Sequence, residues 1–115
     1  MAELDEAAAR AVAQNFAGDV KLYLGFAAVC ARQLEADARQ GQAACSAGQL
    51  QALRGVAHNL RFALELLLQP RLVALADAVE RDADAGASES ATAAWQELQP
   101  ALQALALRLG QLPAA

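Results

Sequence analysis

Isoleucine is absent from this chain of 115 residues, threonine occurs once (Thr92), and aromatic residues make up only 4%. Strand-forming types are therefore scarce, which argues against a sheet. There is one histidine, His58, and two cysteines, Cys30 and Cys45. Two cysteines are too few for a disulfide framework, and with a single histidine they offer no metal-ligand spacing. Clustered Lys and Arg are missing too: the net charge is -4, which argues against a nucleic-acid surface. The acids are spread along the chain and form no acidic tail. No apolar run reaches about 18 residues, so nothing is built to span a membrane. The opening MAELDEAAAR is acidic and lacks the basic start of a signal peptide. There is no Gly-rich phosphate loop and no Ser-His-Asp or Cys-His set. Together these absences give the expectation of a cytoplasmic chain in a reducing compartment.

What is present is mostly Ala and Leu, with hydrophobic residues at 57%, together with Gln, Glu and Arg. These are strong helix formers, so the fold class expected is all-α. The length suits a single domain over residues 1–115 that buries its own core.

Apolar spacing divides the chain into helices. A first, short helix is expected from about Asp5 to Phe16, with Leu4, Ala8, Val12 and Phe16 on one side. Asp19 is a good N-cap for a second, from Val20 to about Arg39, with Leu22, Phe26, Val29 or Cys30, and Leu34 inward. GQAACSAGQ reads as a loop, and Ser46 with Gln49 reads as a capping box for a third helix over about Ala47 to Leu68. Pro70 ends that helix and suits the first turn of a fourth, to about Asp84, with Leu72, Leu75, Ala76 and Val79 inward. DAGASES is a linker with Ser88 or Ser90 as cap, and a fifth helix runs from about Ala91 to Leu109. It carries a stripe of Trp95, Leu98, Leu102, Leu105, Leu109 and Leu112, with Pro100 expected to kink it. The architecture expected is an antiparallel up-down four-helix bundle with a short additional N-terminal helix.

The third helix has two parallel stripes. Leu53, Ala57, Leu60, Leu64 and Leu67 form the apolar one; Arg54, His58, Arg61 and Glu65 stand one residue further on, about 100° around the helix. His58 is therefore expected to face water. A solvent-facing imidazole is mostly neutral at pH 7, and its free ring nitrogen is a nucleophile. Arg54, Arg61 and Phe62 are the neighbours within helical reach, and two guanidiniums would attract a phosphoryl group. No general base is evident beside the ring. Glu65 reads as a solvated partner for Arg61, Cys30 as core, Cys45 as a loop thiol, and Tyr23 and Leu24 as candidates for a docking surface.

The chain resembles the histidine-containing phosphotransfer domains of bacterial multistep phosphorelays, over nearly its whole length. The residues that carry the likeness are Leu4-Asp5, Gly18-Asp19 and Leu22-Tyr23, then Ala52-Leu53-Arg54-Gly55-Val56-Ala57-His58-Asn59-Leu60-Arg61-Phe62. Leu67-Leu68-Gln69-Pro70-Arg71-Leu72 and Val79-Glu80 follow at matching distances. The resemblance implies a carrier protein rather than an enzyme, with no cofactor of its own. His58 would take a phosphoryl group from an aspartyl phosphate on a response-regulator receiver and pass it to another receiver. Mg2+ would belong to the receiver, and a hybrid sensor kinase is a further partner. Arg61 would help hold the phosphoryl oxygens where the family has lysine, Arg54 would either assist it or contact the partner's surface, and Phe62 and Glu65 would face the partner. A monomer is expected. Three departures stand out: Phe62 and Leu68 each replace a glycine of the family pattern, and Arg61 differs in shape from its lysine. Phe62 gives the alternative, a degenerate bundle that binds a receiver or kinase without chemistry.

Overall fold

The computed structural model describes residues 4–115; Met1, Ala2 and Glu3, part of the acidic opening, lie outside them. Five α-helices account for all the regular structure among the described residues: α1 (Glu6–Asn15), α2 (Val20–Ser46), α3 (Leu50–Leu66), α4 (Pro70–Asp84) and α5 (Ser88–Gly110). Two starts follow directly from capping chemistry. Asp5 Oδ1 accepts the Ala8 N–H at 2.7 Å, and Asp19 Oδ1 accepts the Leu22 N–H at 3.1 Å. Each satisfies one of the N–H groups that a helix start leaves unpaired.

The joins between the longer helices share one geometry. Gly48, Leu68 and Gly86 stand at φ 68°, 53° and 72°. After each, the next N–H returns to the helix just ended: Gln49 to the Ala44 carbonyl, Gln69 to Leu64 and Ala87 to Asp82, at 2.9, 3.0 and 2.8 Å. This is the Schellman ending, in which a left-handed residue closes the last turn. It leads straight into the next helix, and it explains two corrections. The capping box expected from Ser46 and Gln49 does not form: Ser46 ends α2, and Gln49 stands at the start of α3 without a side-chain bond. Neither Ser88 nor Ser90 caps α5, because Ala87 occupies the cap and Ser88 is already helical.

α2 is also longer than its expected end at Arg39. Ala38, Gly41 and Ala44 continue its buried stripe, so most of the expected GQAACSAGQ loop is helix. Gly41 has a specific reason to be small. A Cβ there would collide with the indole of Trp95, which is fully buried. The same indole donates Nε1–H to Gln42 Oε1 at 3.1 Å, so its one polar atom is satisfied.

α2 packs against α3 and α5, and α4 packs against the same two, closing a ring of four helices. The extents are 43 × 21 × 17 Å, so α2, at about 1.5 Å rise per residue, runs nearly the full length. The α3 stripe Leu53, Ala57, Leu60, Leu64 and Leu67 is buried, as is the α5 stripe from Trp95 to Leu109. Each such leucine contributes about 1.5–3 kcal/mol relative to exposure. α5 continues through Pro100. In α2 the expected stripe holds at Cys30 and Leu34, with Phe26 packed against the core, and departs at its start. Leu22 and Val29 are exposed, while Tyr23 and Leu24 are core. At that start the Phe16 ring meets Tyr23 edge-on and Phe26 at a tilt, both at 5.4 Å between centroids. Tyr23 and Leu24 therefore offer no docking surface. No helix among the described residues is long and apolar enough to cross a membrane.

Candidate functional site

The apolar stripe of α3 fixes its rotation, and the rotation sets its polar flank against α4. Pro70 fits the first turn of α4, where its missing N–H costs nothing. α4 then brings Asp77, Glu80 and Asp84, spaced three and four apart, along one face.

The two rows meet in order. Arg54 Nε stands 3.1 Å from Asp84 Oδ1, close enough for an ion pair though outside hydrogen-bond alignment. His58 Nδ1 meets Glu80 Oε2 at 2.9 Å. Arg61 Nη1 donates to Glu80 Oε1 at 3.2 Å and lies 3.5 Å from Asp77 Oδ1. Asp77 Oδ2 also accepts from Arg81 Nη1, at 3.1 Å. As positions rise along α3, their partners fall along α4.

Glu80 is the centre of this ladder. Its side chain is only 15% exposed, while that of His58 is 63% exposed. Burial pushes the Glu80 carboxyl upward, but hydrogen bonds from His58 and Arg61, and their charges, outweigh it and hold the group below its ordinary value. An ionised carboxylate can only accept, so the nitrogen facing it carries the proton. In the neutral ring Nδ1 is then the donor, and Nε2 keeps a free lone pair.

His58 thus faces water, as its stripe requires, and Arg54 and Arg61 flank it along α3. Two expectations fail here. A carboxylate does stand beside the ring, supplied by α4. Arg61 turns to α4 and not to Glu65, because Glu80 and Asp77 are nearer its half-buried guanidinium. Glu65 forms no ion pair among the described residues. It lines an open groove of about 640 Å³ with Arg61, Leu68, Val73 and Asp77. Phe62 points away from the core and is 69% exposed.

The sequence reading missed Asp77, Glu80 and Asp84 as site residues, although their spacing on a predicted helix was a usable signal. The cysteines take no part in the site. Cys30 is buried, and burial pushes its thiol up to about 11. Cys45 lies within α2, half-buried, its Sγ 3.8 Å from Thr92 Oγ1, and is not the loop thiol expected. Among the described residues no group of three or more His, Cys, Asp or Glu is arranged to hold a metal. No family model, curated protein or solved structure matches this chain.

Proposed function

We propose that the chain is a phosphorelay intermediate of the histidine phosphotransfer type. In this reading it is an antiparallel four-helix bundle with a short additional N-terminal helix. His58 accepts a phosphoryl group from a receiver-domain aspartyl phosphate and hands it to a second receiver. The observation that carries the reading is the 2.9 Å contact between His58 Nδ1 and Glu80, on an imidazole that is otherwise open to solvent.

The chemistry follows from that contact. The Nε2 lone pair attacks phosphorus, the P–O bond to the receiver aspartate breaks, and the electron pair leaves on the aspartate carboxylate. The proton stays on Nδ1. The ring becomes a phosphoimidazolium whose positive charge faces Glu80. The same steps in reverse pass the group on. Mg2+ bound by the receiver would shield the phosphoryl charge there. Arg61 supplies the nearby cation on this chain, and Arg54, Phe62 and Glu65 face the partner. The descending order of α4 partners along α3 supports an antiparallel arrangement. So do the α2–α5 pairs Gln42 with Trp95 and Cys45 with Thr92.

Incubation with a phosphorylated receiver and Mg2+ tests the acceptor. The native chain takes the label and His58→Gln does not; equal labelling of both removes the role. Exposed Phe62 favours a second reading, a binding module for a receiver or kinase. Under it a receiver binds without transfer, and Phe62→Gly restores transfer.

A further inference from the structure

We propose that Asp77 is a positioning residue for the phosphoryl group on His58, acting through Arg61. Its carboxylate competes with the phosphoryl oxygens for one guanidinium, and so lowers the equilibrium share of phosphohistidine. The inference rests on the reading of His58 as acceptor.

Arg61 is not a free cation. Its Nη1 faces two carboxylates, Glu80 at 3.2 Å and Asp77 at 3.5 Å. An arriving phosphoryl group must displace one of them to gain a charge-assisted bond. Glu80 is the harder to release. Its other oxygen holds His58 Nδ1, and the ring becomes cationic when Nε2 is phosphorylated, which tightens that contact. Asp77 is the easier. It makes the longer contact, its side chain is 43% exposed, and Arg81 holds its second oxygen at 3.1 Å. Asp77 therefore keeps a cation when Arg61 turns away. The Arg61 side chain is itself 36% exposed, so it can turn at the surface. What the phosphoryl group gains from Arg61 is reduced by what Asp77 gives up.

The probe is phosphoramidate in excess ammonium, with 31P NMR measuring the equilibrium on the full chain. The P–N bond to ammonia breaks, a bond from phosphorus to Nε2 forms, and ammonia leaves, so no receiver is needed. Asp77→Asn is expected to raise the phosphohistidine ratio about twofold to fivefold, the range an exposed ion pair commands. Asp77→Glu returns it toward native. In an Arg61→Ala background, Asp77→Asn changes nothing, because the competitor has lost its object. An unchanged ratio in Asp77→Asn overturns the inference and leaves His58 as acceptor. So does an equal gain without Arg61, which would mark direct repulsion between Asp77 and the phosphoryl group. Failure of the acceptor reading looks different: the native chain takes no label, or His58→Gln takes as much.

Discussion

Leu68 and Ala17 both stand at φ 53°, a region that side chains bearing a Cβ seldom enter. The cost is about 1–2 kcal/mol each. A positive φ is what glycine supplies freely, yet this join is closed by a leucine. Nothing in the letter Leu announces this; it follows from how α3 must end for α4 to begin at Pro70. Ala17 is exposed, so replacing it loses no packing. Ala17→Gly should stabilise the fold by up to about 1 kcal/mol after the extra freedom of the unfolded chain is subtracted. A thermal melt should rise by a few degrees; a fall would contradict the strain. Gly41 is the opposite case. Gly41→Ala forces a methyl into the buried Trp95 ring, and overpacking of this kind costs about 1–3 kcal/mol or more. Urea denaturation should show the loss, and an unchanged midpoint would mean that the indole has room to move.

At the scale of the helix, legibility depended on how many faces could serve as core. α4 was read to its ends, Pro70 and Asp84, because proline marks one and the spacing of large side chains marks the face. In α3 the leucines recur at three and four, and both stripes were read correctly. α2 is alanine-rich, so several faces look equally apolar. Its stripe was legible at Phe26, Cys30 and Leu34, but at its start Tyr23 and not Leu22 turns inward, against Phe16 just past the end of α1. Pairing between helices was the least legible: each acid of α4 is visible, but which cation it meets depends on helix rotation. The α3–α4 ladder has a consequence for acid stability. The Glu80 carboxyl is held below its ordinary 4.5 in the fold, so the unfolded chain binds its proton first as pH falls. Its contribution is complete above that ordinary value and is lost as pH drops through the lowered one. Glu80→Gln should therefore make the fall in unfolding free energy below about pH 4.5 shallower. Denaturant titrations across the acid range would read this, and identical slopes would remove Glu80 from the account of acid unfolding.

Across the whole molecule, four helices pack in a ring, and among the described residues no polar or charged one is buried. Specificity of the core thus comes from shape, chiefly Trp95 against Gly41. Composition alone was enough for the helical class, since scarce strand formers and abundant Ala and Leu leave little else. The candidate site was legible only in part. His58 and its outward face follow from one helix, whereas Glu80 enters from another. The ring holds α3 and α4 at the spacing that lets Glu80 reach Nδ1, and this leaves Nε2 as the nitrogen free to react. The direct test is to load the 15N-labelled chain from a phosphorylated receiver and locate phosphorus by its coupling to the ring nitrogens. Phosphorus on Nε2 of His58 is the expected result. Phosphorus on Nδ1, or none on His58 at all, would contradict the account.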